Sequence, residues 1–393
     1  MKINEWIIFY YPDGSDRIHH SIIIQEKMAN VIYIPVKEVY QFISATFRKL
    51  GLSNEDSEIC AKVLITSDIR GIESHGIGRL RMYVDRIRAG LININPKMEI
   101  IKESPTTTVL DANHGIGMVV GYQAMSLAIR KAREFGLGAV AVRNSTHFGI
   151  DGYYPLMAVD EGLIGMSFTN ARPAVSATFG SQPILGTNPI AFGAPTDEEF
   201  PFLYDAATSI IQRGKIEVLN RQESLASEGW VIDENGISIL EPQEILNGLT
   251  SGKAALLPLG GMLEEFGGHK GYGLSVIVEI LSSSLQTGAF LSALSGYDDK
   301  GNATRFRVGH FFMAINIENF LPLEEFKKNT GELLRELRRT KRIVGRDRIY
   351  TAGEKEFESE KRVRTSGIAI NNALMEDLNY IRDTLGVDGL DES

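Results

Sequence analysis

The sequence predicts an α/β protein of more than one lobe, and three observations carry that expectation. A β-α-β pattern occupies residues 107–142, with a strand at Thr107 to Leu110, a helix from about Val119 to Phe135 and a second strand at Ala139 to Val142. Helical periodicity flanks this pattern on both sides, over residues 36–87 and again over 323–385. The chain is also long, 393 residues with 43% hydrophobic and 23% charged side chains, which is globular in composition but more than one compact core usually supports.

Taken in order, residues 3–11 and 18–24 are β-rich and flank the turn cluster Pro12-Asp13-Gly14-Ser15, so the first 27 residues read as an appended hairpin. Val36, Val39, Tyr40, Ile43, Phe47 and Leu50 then follow helical spacing, with Gly51 placed to stop the helix. Ser53 reads as the N-cap of a second helix reaching about Ile69, and Ile77 to Ile87 as a third. After the β-α-β unit come a short helix near Pro155 to Glu161 and a strand at Gly165 to Thr169. Residues 173–196, with four prolines and three glycines, read as an ordered loop, and residues 200–250 as irregular. Leu274 to Gln286 is an apolar helix behind a glycine cluster, Phe311 to Ile317 a buried strand, and Leu323 to Arg342 and Asn371 to Leu385 the closing helices.

Composition narrows the function classes. Asp and Glu outnumber Lys and Arg by 50 to 41, a net charge of -9, which disfavours a nucleic-acid partner. No window is apolar enough for a membrane span, and no secretory signal opens the chain. The single cysteine, Cys60, fits a small core residue in a reducing, cytoplasmic setting.

Five histidines lie within two residues of a glycine: His75, His114, His147, His269 and His310. Such positions fall at turns, where a ring can face a cleft. In Ser74-His75-Gly76-Ile77-Gly78-Arg79 and on to Tyr83, the residues His75, Arg79 and Tyr83 recur every four, so a helix from His75 would project imidazole, guanidinium and phenol from one face. That set can fork a carboxylate, orient a hydroxyl and move a proton; a solvated amphipathic helix explains the spacing equally well. His147, in the polar run Arg143 to Gly149 after a strand, is the competing acid/base. No two of these five histidines lie close enough in sequence to form a zinc-type pair, so no metal is expected.

Three glycine-rich stretches compete as cofactor sites. Gly115-Ile116-Gly117 with Gly121 is G-x-G-x-x-x-G rather than the dinucleotide fingerprint, and no acid ends the next strand, which argues against a Rossmann fold. Gly267 to Gly273, with Lys270, could converge on phosphate, and Gly186-Thr187-Asn188-Pro189 could hold a carboxamide; either could be a structural turn.

The motifs together resemble the type 2 malate/L-lactate dehydrogenase family, which includes sulfolactate and ureidoglycolate dehydrogenases. The matching stretches are Ser67 to Gly71 with Ser74-His75-Gly76, Asn144 to Gly149, Gly186 to Pro189, Gly267 to Leu274, Gly309 to Phe312 and Arg348 to Glu354. The resemblance implies a non-Rossmann α/β fold, a mixed sheet with surrounding helices in several lobes, and a homodimer. It implies an NAD- or NADP-dependent oxidoreductase interconverting a small 2-hydroxy acid and its 2-oxo acid, of malate or L-lactate type. On the same scaffold, a reductase of a keto-sugar acid, sulfopyruvate or a cyclic imine is the alternative, or a non-catalytic NAD(P)H sensor. By position it assigns proton transfer to His75 and His147, substrate contacts to Ser74, Arg79 and Tyr83, and cofactor contacts to Asn170, Thr187, Asn188, Asp205, Lys270, Gly353 and Glu354. Where many relatives have Asp-Met-Ala-Thr-Ser, this chain has Asp205-Ala206-Ala207-Thr208-Ser209. The expected division is an extension over 1–33, a helical substrate and dimerisation lobe over 34–110 and 310–393, and an NAD(P)-binding lobe over 111–309.

Overall fold

The computed structural model describes residues 31–390, so the expected N-terminal hairpin lies outside the described residues. The chain opens with strand β1 (Val31–Ile34) and helices α1 (Val36–Lys49) and α2 (Asn54–Ile69). Helix α1 buries Val39, Phe42, Ile43 and Phe47, and Gly51 ends it at φ +98°, a backbone angle that favours glycine. Ser53 caps α2 by accepting the Asp56 N–H at 3.1 Å. Two 3-10 turns, Glu73–His75 and Ile77–Arg79, precede α3 (Leu80–Arg88). The expected helix from Ile77 is therefore corrected to an α-helix from Leu80. The extended backbone of Gly76 interrupts the winding, and the Asp68 carboxylate takes the Ile77 N–H at 2.8 Å.

The middle of the chain contributes β2 (Glu99–Glu103), β3 (Thr107–Asp111), α4 (Gly117–Phe135), β4 (Leu137–Ser145), α5 (Tyr153–Asp160) and β5 (Ile164–Thr169). The proline-rich segment then holds three strands that the sequence reading missed: β6 (Val175–Ser176), β7 (Pro183–Leu185) and β8 (Ile190–Ala194). Pro183 is tolerated because it begins an edge strand, where no ladder N–H is needed. Nor is 200–250 irregular: it forms β9 (Phe202–Ala206), α6 (Arg213–Arg221), β10 (Val231–Asp233) and α7 (Pro242–Ser251), elements too short to display a period, and leads to β11 (Ala254–Leu256). The chain ends with α8 (Gly268–Ser283), β12 (Val308–Ile315), α9 (Leu323–Arg339), α10 (Glu354–Ser366), β13 (Ile368–Asn371) and α11 (Asn372–Leu385).

Seven strands form one mixed sheet in the order β2-β3-β4-β12-β5-β8-β9, in which only β3 and β4 run parallel. A doubly wound parallel sheet is thereby excluded. A smaller sheet has the order β10-β11-β6-β7, and β1 pairs with β13. Three main apolar clusters follow this layout. One joins α1, α2, α3 and α11; a second lies between the large sheet and α4 and α5; a third fills the small sheet against α6 and α7. The expected limits at 110 and 310 fall inside the large sheet, because β3 ends at Asp111 and β12 begins at Val308. The limit at 33 likewise falls inside β1, which pairs with the C-terminal β13.

Candidate active site

The segment carrying His75 is fixed from below. A Cβ on residue 76 would sit 1.7 Å from Asp68 Oδ1, so only glycine lets the turn close over that buried carboxyl. Burial lifts the Asp68 pKa to about 8, partly offset by the Ile77 N–H bond. Opposite, the segment carrying His147 is tied to the start of α4: Thr146 Oγ1 accepts the Gly117 N–H at 2.9 Å and donates to the Gly115 carbonyl at 3.1 Å. The Gly115 and Gly117 pair is thus a helix-start turn. A Cβ on residue 117 would meet the Thr146 carbonyl oxygen at 2.2 Å.

These supports bring two imidazoles together. The His75 and His147 rings stack with centroids 5.6 Å apart and planes 17° from parallel. Tyr83 Oη lies 2.6 Å from His147 Nδ1, and Ser74 Oγ lies 2.8 Å from His75 Nδ1. Each ring therefore has Nδ1 engaged and Nε2 left for a ligand. Arg79 donates its Nε–H to the Ser74 carbonyl at 2.6 Å, which leaves its two terminal nitrogens free for a carboxylate fork. His75, Arg79 and His147 line one cleft of about 480 Å³, with Tyr83 fully buried behind. The helix expected from His75 is not formed; two 3-10 turns bring His75 and Arg79 to the cleft, and Tyr83 on α3 packs behind it.

Burial sets the protonation states. It pushes His75 down to about 4, with Arg79 adding to the effect, and it pushes His147 well below the usual imidazole range, with His75 and Arg79 adding. Both rings are neutral near pH 7. The Tyr83 phenol is pushed up by burial and keeps its proton.

The cofactor set divides. Asn170, Thr187 and Asp205 line the same cleft. Asn188 is buried beside it, donating to Glu279 Oε2 at 2.8 Å and accepting the Ala171 N–H at 3.2 Å, so it pins the strand-end loop. Asn170 donates to the other oxygen of Glu279 at 3.1 Å. Lys270 is exposed on the first turn of α8 and does not line the cleft. The glycines around it answer to packing, since a Cβ on residue 271 would meet the Leu259 carbonyl at 2.1 Å. Gly353 and Glu354 also stand outside the lining. Glu354 is buried, accepting the Thr351 N–H at 2.9 Å and pairing with Arg348, while Gly353, at φ +91°, starts α10 against Leu203.

Of the other glycine-flanked histidines, His310 is buried and stacked on Phe148 at 4.5 Å, with burial pushing it down to about 3. His114 engages the Phe306 carbonyl at 2.9 Å, and His269 is exposed. Among the described residues no cluster of His, Cys, Asp or Glu could hold a metal ion, and no helix is long and apolar enough to cross a membrane.

Sequence reasoning missed several lining residues. Asp151 is 3% exposed, and neither of its carboxyl oxygens has a partner among the described residues. Burial and the neighbouring Asp205 push it up, and burial raises Asp205 as well, so the two carboxyls hold a proton near neutrality. Its place four residues after His147, in the same loop, was the available signal. Arg86 and Arg172 also line the cleft. Arg86 lies seven residues beyond Arg79, two helical turns along one face, so spacing could have found it; nothing marked Arg172.

The family model described as malate/L-lactate dehydrogenase matches residues 34–379. The malate dehydrogenase of Pyrococcus abyssi is 47% identical over 362 residues, covering 92% of this chain and 97% of its own. The crystal structure of malate dehydrogenase from Entamoeba histolytica superposes with a TM-score of 0.88 at 44% identity, covering 91% of this chain and 99% of that one. The sulfolactate dehydrogenase of Methanocaldococcus jannaschii gives 0.80 at 36% identity, with 91% and 98% coverage. The chain belongs to the malate/L-lactate dehydrogenase family and is a 2-hydroxy acid dehydrogenase.

Proposed function

We propose that the cleft performs reversible hydride transfer between a nicotinamide cofactor, NAD or NADP, and C2 of a small 2-hydroxy acid, malate foremost. The observation that carries this is the stacked His75 and His147 pair, one ring held through Nδ1 by Tyr83, facing the same cavity as a guanidinium with two free nitrogens. Relatives at 44 to 47% identity named malate dehydrogenase support the choice of malate.

The cleft fits a nicotinamide nucleotide chemically. Carboxamide N–H and ribose O–H donors need acceptors, and the unpartnered Asp151 carboxyl, with Asn170, Thr187 and Asp205 in the same lining, supplies them. Lys270, exposed on the first turn of α8, is our candidate for a phosphate contact beyond the cleft. When bound, the nicotinamide ring supplies the two-electron hydride chemistry. The chain does the rest. Arg79 clamps the C1 carboxylate and so fixes C2, a positioning effect that accounts for much of the rate gain in such reactions. In oxidation the hydroxyl proton passes to an imidazole of the pair, whose rings are fixed at Nδ1: His147 accepts the Gly149 N–H at 3.3 Å beside the Tyr83 hydroxyl, and His75 faces Ser74 Oγ. In reduction that proton returns. Ser74, bonded to both His75 and Arg79, positions the two.

Helix α8 leaves Leu274, Ile277 and Ile280 exposed along one side, which supports assembly as a homodimer. The buried free thiol of Cys60 supports a reducing compartment such as the cytoplasm. The function is tested by following reduced nicotinamide consumption with oxaloacetate, pyruvate, sulfopyruvate, a keto-sugar acid and a cyclic imine. Turnover of oxaloacetate is expected. Silence with all five, despite NADH or NADPH binding, would favour a sensor that keeps the scaffold.

A further inference from the structure

We propose that Arg86 and Arg172 form a second anion subsite beside the Arg79 clamp, which selects 2-hydroxy and 2-oxo acids carrying another anionic group on C3 over those of lactate type. The inference rests on the reading of the cleft as a 2-hydroxy acid site and extends it to residues that reading did not use.

Four arginines line the cleft, Arg79, Arg86, Arg172 and Arg213, the last paired with Glu217, in a chain of net charge -9. Arg79 and Arg86 share a face, because seven residues make two turns, so their Cα atoms are separated by roughly 10 Å along the axis. Arg86 is half-buried, its guanidinium carbon lying over the Phe306 ring 4.3 Å from the centroid. The groups that act on it electrostatically are Arg172, Tyr83, Arg79 and Tyr297, with no carboxylate among them. Burial, then Arg172, push its pKa down to about 10. Among the described residues neither Arg86 nor Arg172 has an acidic partner within salt-bridge reach; of the acids lining the cleft, Asp151 is unpartnered but buried and pushed toward its protonated form by that burial. Glu217 holds Arg213 at 3.1 Å, and Asp205 accepts the Gly152 N–H at 2.7 Å.

Two mutually repelling cations, one of them partly desolvated, are costly unless an anion joins them. A substrate with a single carboxylate satisfies Arg79 and leaves that cost in place. One with a second anionic group, carboxylate or sulfonate, relieves it. The backbone that bears Arg172 is anchored two residues earlier by Asn170, which is bonded to Glu279 and accepts the Gly309 N–H at 2.8 Å.

The experiment compares wild type with Arg172→Gln, Arg86→Gln and Arg86→Lys on oxaloacetate, sulfopyruvate and pyruvate. The ratio of kcat/KM for oxaloacetate to that for pyruvate is expected to fall about 10- to 100-fold in both glutamine variants, through KM, with partial rescue in Arg86→Lys. A parallel fall with sulfopyruvate identifies any distal anion as sufficient; a fall with oxaloacetate alone restricts the subsite to carboxylate. Arg172 is exposed, so its variant keeps the test valid if loss of packing on Phe306 unfolds the Arg86 variants. An unchanged ratio, or a rise in KM for NADH or NADPH in its place, overturns the proposal. Malonate and acetate binding by calorimetry separates the two readings. If no 2-oxo acid is reduced, the dehydrogenase reading fails, yet weaker malonate binding in Arg172→Gln still upholds the subsite, and unchanged malonate binding refutes it.

Discussion

At the scale of single residues, the site depends on what holds each imidazole. Tyr83 is fully buried and gives His147 its Nδ1 partner at 2.6 Å. Replacing it by Phe keeps the ring that packs against Phe47 and removes only the hydroxyl. Turnover of Tyr83→Phe is expected to drop about 10- to 100-fold with KM for oxaloacetate little changed, because orientation of the base is lost and the clamp is not. A rise in KM with normal kcat would instead place Tyr83 on the substrate. Arg79→Leu should show the complementary pattern, a loss of about 100-fold or more in kcat/KM for every 2-oxo acid; wild-type efficiency in that variant would remove Arg79 from the site. Since burial holds both histidines neutral, hydroxy acid oxidation by the free enzyme should keep a level kcat/KM from about pH 8 down to about 5. An acid limb near the ordinary imidazole value would mean that the rings are more hydrated than their surroundings indicate.

At the scale of elements, close approach explains most of the glycine positions. Helix α4 starts against the backbone that bears His147, and the Gly117→Ala variant has no room at 2.2 Å from the Thr146 carbonyl oxygen. A cost of about 1–3 kcal/mol is expected, with a lower melting temperature and reduced turnover; a variant with unchanged values for both would show that this junction yields freely. The turn over Asp68 makes a prediction with a definite sign. Its folded pKa, about 8, lies above the ordinary carboxylate value, so between about pH 4 and 8 the folded protein keeps a proton that the unfolded chain has lost. Its contribution is fully present below about pH 4 and is lost as the pH rises toward 8. Asp68→Asn retains an acceptor for the Ile77 N–H and has no charge to suppress. Its melting temperature relative to wild type should therefore climb from pH 5 to 8. A constant difference across that range would contradict a protonated Asp68.

Elements also show what local sequence encodes. Helix α1 was legible because its apolar spacing and its stop at Gly51 act within a few residues of one another. The His75, Arg79 and Tyr83 spacing was legible for the same reason. The start of α3 was not, because it is decided by Asp68, which reaches the turn from the preceding helix. Strands β6 to β11 were hidden because each is two to five residues long and gains its stability from partners distant in sequence.

At the scale of the whole molecule, the cleft exists because separate parts of the chain meet. The 3-10 turn Ile77–Arg79 and helix α3 bring Arg79 and Arg86 from the helical cluster, the end of the large sheet brings His147 and Asn170, and the segment before β12 brings Phe306. The lobe boundaries could not be read beforehand, since β12 enters the middle of the large sheet from some 160 positions beyond β4, a pairing that no local pattern announces. The residues we assign to substrate were recognisable as motifs, while the supporting Asp68 and Glu279 and the lining Asp151 become evident only in three dimensions. The α8 surface carries a prediction at this scale. Ile277→Glu with Ile280→Glu should convert the sedimenting species from dimer to monomer, and a monomeric wild type, or an unaltered dimer in the double variant, would place the interface elsewhere. The central claim concerns the paired imidazoles. Its most direct test is the steady-state rate of oxaloacetate reduction by His75→Asn and His147→Asn at neutral pH. A loss of at least about 100-fold in one or both is predicted; nearly full activity in both variants would contradict acid-base catalysis by this pair.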